Sequence, residues 1–141
     1  METDRLLRGL ETLQASMVLY DRSPDGTVHQ EVFRNAVVKG FELTLETSVR
    51  LLRRALKEYG VSGRTLDSMP FKDVLRLAGT HGLMEIDEVE RWFAYRDNRN
   101  STAHDYGVSF ARETLGLVHA FVTDAQRLAD RLDRISDQGG N

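Results

Sequence analysis

An uninterrupted helical period between residues 28 and 59 constrains the fold more than any other feature of this sequence. Apolar side chains recur there at steps of three or four residues, namely Phe33, Val37, Phe41, Leu45, Val49, Leu52, Leu56 and Tyr59. This spacing places all of them on one face of an α-helix. A rise of about 1.5 Å per residue would make that helix about 45–50 Å long. Gly40 is its weak interior position, and it costs about 1 kcal/mol against alanine unless it permits close packing.

The same period predicts four further helices. They cover residues about 4–20, 68–78, 87–98 and 109–135. Ser68 is expected to cap the helix that begins there, with Pro70 in its first turn. Asp87 and Glu90 have the spacing of a capping box at the start of the next helix. Three long and two shorter helices predict an all-α protein, an up-and-down bundle of about five helices.

The chain has 141 residues, which suits a single domain with a sizeable core. We expect one helical domain over residues 1–136 and a disordered tail over residues 137–141, which is rich in glycine and polar residues. The sequence has no cysteine, so it excludes disulfide frameworks and thiolate metal sites.

The N-terminus and the hydropathy predict a protein of the cytoplasm. Met1-Glu2-Thr3-Asp4 is acidic where a secretory signal would be basic, and the longest apolar run, such as residues 17–20, has four residues. We therefore expect neither a signal peptide nor a membrane span. The absence of cysteine is compatible with a reducing compartment.

The charge balance limits how the chain could bind nucleic acid. It has 19 Lys and Arg against 22 Asp and Glu, a formal net charge of -3, whereas proteins that hold phosphates non-specifically are usually basic. Any RNA binding must therefore come from a local patch or a defined site. A basic run on the second helix could hold RNA, although a solvated polar face is the simpler explanation: Arg50, Arg53, Arg54 and Lys57.

The segment whose residue types most clearly indicate a catalytic function is Arg99-Asn100-Ser101-Thr102-Ala103-His104-Asp105-Tyr106. Arg99 and His104 are five residues apart, about 140° on a regular helix. They converge only if the helix bends or ends between them, or if two chains pool their motifs. His104 and Tyr106 face the same side if that stretch is extended.

Arginine and histidine together suit phosphate chemistry. Arg99 can hold a phosphate through two parallel hydrogen bonds. Histidine side chains ordinarily titrate near neutral pH, so a residue such as His104 can remove or deliver a proton. They fit metal-free RNA cleavage, in which the ribose 2′-hydroxyl attacks the adjacent phosphate. Asn100 could orient the histidine or donate to a phosphate oxygen. No metal or cofactor is predicted. From spacing alone, a helix end with a capping Asn and a half-buried His explains the same residues.

The string R-N-S-T-A-H-D-Y matches the R-N-x-x-x-H-x-Y pattern of HEPN-domain, HepT-like toxins at every defined position, and the chain therefore resembles that family. Upstream, the residues F-E-L-T-L-E at 41–46 look like the family's F-E-x-x-x-E helix. The resemblance covers residues about 28–132, and it points to the subgroup described as nucleotidyltransferase substrate-binding proteins. Val49-Arg50 departs from the pattern, because many relatives carry Trp-Lys there.

The resemblance implies a homodimeric bundle in which Arg99 and His104 of both protomers meet across the interface as a ribonuclease site. Its partner would be a minimal nucleotidyltransferase antitoxin that transfers AMP to the motif tyrosine, here Tyr106. Glu46 could orient Arg99 or His104, or it could simply pair with Arg50 on a solvated face.

Two alternatives stay open. The first is a non-catalytic subunit that binds substrate for a nucleotidyltransferase or scaffolds it. The second is a dimeric helical interaction module that kept the fold and lost the chemistry.

Overall fold

Six α-helices make up most of the computed structural model, which describes the backbone of residues 2–102 and 108–139 and the side chains of residues 2–98 and 112–135. The helices are α1 (Asp4–Arg22), α2 (Val28–Glu58), α3 (Gly63–Ser68), α4 (Phe71–Thr80), α5 (Ile86–Thr102) and α6 (Val108–Gly139). These ranges contain no strand, which confirms the all-α prediction. Over the same ranges, no helix combines the length and the hydropathy that a membrane crossing requires.

The turn between α1 and α2 makes these two long helices neighbours. Gly26 takes a positive φ of 77°, which glycine adopts without strain. Thr27 caps α2, because its hydroxyl accepts a hydrogen bond from the Gln30 amide at 3.2 Å. The Gln30 side chain returns an oxygen to the Gly26 amide at 3.0 Å. This reciprocal arrangement satisfies backbone donors that the helix start would otherwise leave unpaired.

Helix α2 is the central element of the bundle, since it packs against each of the other five helices. Gly40 lets α1 come close to it. A Cβ atom at that position would lie 3.2 Å from a methyl carbon of Leu13. The conformational cost expected for Gly40 is therefore offset by close packing of the two helices.

Aromatic side chains fill the middle of the core, where α2, α5 and α6 meet. Their rings pack edge to face, with Phe41 and Phe121 at 4.9 Å between centroids and Trp92 and Tyr95 at 5.6 Å. Such pairs contribute about 0.5–1.5 kcal/mol each beyond the area they bury. All four side chains are at most 1% exposed, so they fix how α5 lies against α2 and α6.

The start predicted for the helix over residues 68–78 is wrong. That helix, α4, begins at Phe71, and another helix, α3, precedes it. The hydroxyl of Ser62 accepts from the Thr65 amide at 3.1 Å and so caps α3, which Ser68 ends. Met69 is extended, with ψ 131°, and Pro70 stands immediately before α4. Proline disfavours the helical conformation of the residue before it, so the chain breaks at Met69 and Ser68 does not cap α4.

The other predicted boundaries differ by a few residues. Helix α1 continues to Arg22, and α5 begins one residue before Asp87 and extends to Thr102. The carboxylate of Asp87 accepts from the Glu88 amide at 3.1 Å. Helix α6 is described to Gly139 and so enters the predicted tail over residues 137–141. The division of the chain at residue 136 stays a prediction.

Candidate functional site

The last turns of α5 carry the first part of the predicted motif. The backbone places Arg99 and Asn100 on this helix, which is described to Thr102. The side chains of Arg99 and Asn100 lie outside the described residues, as do His104 and Tyr106 altogether. The convergence of Arg99 with His104 therefore stays a prediction, and the geometry that can be described is that of the frame around the motif.

A buried hydrogen bond ties α5 to α6 immediately outside the motif. The Thr114 hydroxyl donates to the side-chain oxygen of Asn98 at 3.1 Å, and both residues are buried. The segment from residue 98 to residue 114, which contains the whole motif, therefore begins and ends at this contact between α5 and α6. The side-chain nitrogen of Asn98 meets no acceptor among the described residues. Asn98 lies three residues after Tyr95 on an apolar helix face. A polar residue at such a position indicates a buried hydrogen bond, and this signal was available in the sequence.

A second tie between the same helices is a charged cluster that the sequence analysis missed. Asp124, 1% exposed, accepts from Nε and Nη2 of Arg91 at 2.9 Å each and from the Tyr95 hydroxyl at 2.6 Å. Burial, and then the hydrogen bond to the Asp124 carboxylate, raise the pKa of Tyr95 well above its usual value. The same carboxylate raises the pKa of Arg91.

A parallel contact lies about two turns further along α6. The Arg131 guanidinium donates to the two carboxylate oxygens of Glu88 at 2.6 and 2.9 Å and to the Leu83 carbonyl at 3.0 Å. Hydrogen bonding to Glu88 raises the pKa of Arg131. Bidentate arginine–carboxylate pairs are directional, so the two clusters fix the register of α5 on α6. The orientation of the motif-bearing end of α5 follows from that register.

Glu46 lies in the wall of a cavity of about 430 Å³ between α2, the link from α3 to α4, and α5. Arg50, Arg53 and Arg96 line the same cavity, and we call it the basic cavity. The prediction that Glu46 orients Arg99 or His104 stays a prediction, because the side chains of Arg99 and His104 lie outside the described residues.

Two of the cavity arginines are held by neighbouring residues. Arg53 donates to the carbonyl of Leu66 and, at 3.1 Å, to the carbonyl of Met69. The guanidinium of Arg96 lies 5.1 Å from the ring centroid of Phe71. The basic run predicted on α2 therefore does not form one exposed face. Arg53 is half-buried and connects α2 to the link after α3.

The other three members of that run, Arg50, Arg54 and Lys57, are exposed. In the part of the chain whose side chains are described, no three histidine, aspartate or glutamate residues lie together as a metal site would require.

Comparison with known proteins relates the chain to nucleotidyltransferase-associated proteins. A family model described as nucleotidyltransferase substrate binding protein like matches residues 2–134. The chain is 28% identical over 113 residues to a Haemophilus influenzae protein named probable ribonuclease HepT, and the matched stretch covers 80% of this chain and 75% of that protein.

Two solved structures share the fold. One, from Haemophilus influenzae, is described as revealing the fold of a substrate-binding domain of a nucleotidyltransferase. It superposes with a TM-score of 0.81 at 25% identity, over 94% of this chain and 99% of that one. The other is a protein of Thermus thermophilus, with a TM-score of 0.73 at 27% identity, over 90% and 98% of the two chains.

Proposed function

The chain belongs to the nucleotidyltransferase substrate-binding-protein-like family, and on that premise we propose that it is the ribonuclease toxin of a HEPN and minimal-nucleotidyltransferase pair. The observation that carries the proposal is the complete R-N-x-x-x-H-x-Y motif at residues 99–106. The similarity to a protein named probable ribonuclease HepT supports it. The ties between α5 and α6 support it as well, because they give the motif a rigid frame.

The proposed reaction needs no metal. Arg99 binds the scissile phosphate and stabilises the charge that builds on its oxygens, with Asn100 as a further donor. His104 accepts the proton of the ribose 2′-hydroxyl, whose oxygen then forms a bond to phosphorus. The bond from phosphorus to the 5′-oxygen breaks, and that oxygen takes a proton from water, while His104 returns its proton to the solvent. The products carry a 2′,3′-cyclic phosphate and a 5′-hydroxyl.

A homodimer with the two motifs at or near its interface is part of the proposal. Several large apolar side chains on α1 and α2 are exposed in the single chain, and they support it: Leu7, Val18, Leu19, Val28, Val32 and Leu43. Light scattering of the purified chain at micromolar concentration should give the mass of two copies. A stable monomer there would contradict the pooled site.

Control by the partner is proposed to act through Tyr106. AMP on its hydroxyl would add a negative phosphate and a bulky adenosine beside His104. The phosphate can occupy Arg99 in place of RNA, while the adenosine blocks access. Intact-mass analysis after co-expression with the neighbouring nucleotidyltransferase should show one or more AMP additions that Tyr106→Phe abolishes. An unmodified chain in a fully neutralised pair would mean that complex formation alone inhibits.

The second candidate is a non-catalytic subunit that binds substrate for a nucleotidyltransferase or scaffolds it. The family description favours it, as does the substrate-binding domain described for the Haemophilus influenzae structure. Expression of the chain alone separates the two. The ribonuclease proposal predicts growth arrest and RNA fragments that His104→Ala and co-expression of the neighbouring nucleotidyltransferase each prevent. Normal growth and intact RNA with a soluble, folded chain would favour the subunit.

A further inference from the structure

We propose that the basic cavity is an RNA subsite, which holds a nucleotide next to the scissile phosphate and contacts its phosphodiester through Arg50 and Arg96. This inference rests on the proposed function and extends it, because the motif accounts for only one phosphate. The inference is based on the position of the basic cavity, a preformed, arginine-lined cavity on α2 and α5 that lies one helical turn from the motif.

The position of the cavity follows from α5. Arg96 lines the cavity, and residue 99 is three positions further along the same helix. Three residues advance a helix by about 4.5 Å and nearly one turn. The two positions are therefore neighbours on one side of α5, separated along its axis by a distance comparable to one nucleotide step of a strand. A strand whose scissile phosphate lies at residue 99 would reach the cavity with its next nucleotide.

The charge of the cavity favours an anion. Three guanidinium groups and one carboxylate, that of Glu46, line it, although the chain as a whole has a formal net charge of -3. The hydrogen bonds of Arg53 go to uncharged carbonyl oxygens, so they leave its positive charge in the wall. The local excess of positive charge supplies the patch that an acidic RNA-binding protein requires.

Two of the arginines are also held in place before any ligand binds. Arg53 is anchored at two carbonyls, and the face of Phe71 supports the guanidinium of Arg96. Arg50 is exposed at the rim, from which its side chain can close onto a phosphate. Preordered donors bind with a smaller entropy cost than mobile ones. The volume of about 430 Å³ lies within the range of ligand pockets and suits one nucleotide.

Binding of a fluorescein-labelled single-stranded RNA octamer tests the subsite, with every variant made on a His104→Ala background so that the RNA stays intact. We expect Arg50→Ala and Arg96→Gln each to raise Kd by about 10-fold, as the loss of a charge-assisted hydrogen bond predicts. Each should make the dependence of log K on log salt shallower by about 0.7, the value for one phosphate contact on a single strand. Arg50→Lys should recover most of the affinity.

Arg134→Ala is the matched control, since Arg134 is an exposed arginine near the end of α6, 20 residues or about 30 Å along that helix from Thr114. It should bind the octamer within about twofold of the parent. Thermal unfolding of each variant separates lost binding from lost structure, and the replacement of Arg50, which is exposed, should not change the melting temperature.

The outcomes distinguish the subsite from the catalytic proposal. Failure of the wild-type chain to cleave RNA would refute the ribonuclease, whereas the binding of the octamer would still report on the cavity. The subsite is overturned if the parent binds no octamer. It is equally overturned if Arg50→Ala and Arg96→Gln bind with the affinity and salt dependence of Arg134→Ala.

Discussion

Replacement of Asp124 by asparagine should test how strongly the buried charged cluster holds α5 on α6. The substitution keeps the side-chain volume but removes the charge, and it turns one acceptor into a donor that faces the N–H groups of Arg91 or the Tyr95 hydroxyl. Arg91 is about a third exposed, at 34%, so water compensates part of its loss. Tyr95 is 1% exposed, so its hydroxyl has little access to water as a substitute partner.

These contacts set the expected magnitude. A buried donor that loses its partner costs about 1–3 kcal/mol, and a weakened hydrogen bond to a charged group costs about 1.5 kcal/mol at the low end. The sum is about 3 kcal/mol, the lower part of the range for breaking a buried pair. With about 3–5 °C per kcal/mol for a chain of this size, the melting temperature should fall by about 10 °C.

Thermal unfolding followed by circular dichroism measures the change. Asp130→Asn is the control, because Asp130 lies exposed on the same helix and should shift the melting temperature by no more than about 2 °C. Tyr95→Phe in the Asp124→Asn background should cost less than Tyr95→Phe alone, since the hydroxyl has already lost its acceptor. If Asp124→Asn and Asp130→Asn have the same melting temperature, the buried charged cluster does not hold α5 on α6.

Two further predictions concern Arg53 and Tyr95. Arg53→Met should lower the free energy of unfolding by about 1–2 kcal/mol in a urea titration, because two carbonyl acceptors lose their donor, while Arg54→Met should change it by less than about 0.5 kcal/mol. Equal effects of the two would make Arg53 an ordinary surface residue. Tyr95 has a raised pKa, so the stability it contributes is complete below the unfolded value of about 10 and declines as pH rises above it. Between pH 9 and about pH 11, the urea midpoint of the wild type should therefore fall more than that of Tyr95→Phe, and parallel curves would contradict this assignment.

The period of apolar residues predicted what it physically encodes, which is the face that each long helix buries. Val37, Phe41 and Leu45 are each at most 1% exposed, as the stripe on α2 requires. Towards its end the stripe is less reliable, since Tyr59 is 41% exposed and stacks on His81 at 4.9 Å between ring centroids. The period specifies a face but not the neighbour that covers it.

The short helix α3 escaped prediction because its signals are local and not periodic. A serine cap at Ser62 and the extended Met69 before Pro70 delimit six helical residues, too few for an apolar stripe to show. Gly63, a residue type more common at helix ends than at helix starts, begins this helix.

The charged contacts between α5 and α6 escaped for another reason. Asp124 sits among apolar residues of α6, and only the packed structure shows that Arg91, 33 positions earlier, reaches it. In the same way, the sequence places Arg53 in a basic run that has the pattern of a solvated face, and only the structure shows the carbonyl groups that Arg53 binds. Sequence spacing reports neighbours on one helix and carries no information on pairing between helices.

We propose that Arg99 and His104 cleave RNA without a metal, so the purified chain should cleave a single-stranded RNA in excess EDTA. The fragments should carry 2′,3′-cyclic phosphate ends, and His104→Ala should cleave at least about 100-fold more slowly, the usual contribution of a general base. His119→Ala, which replaces an exposed histidine on α6, should cleave like the wild type. Cleavage by His104→Ala at the wild-type rate, or cleavage by the wild type that EDTA abolishes, would rule out this metal-free mechanism.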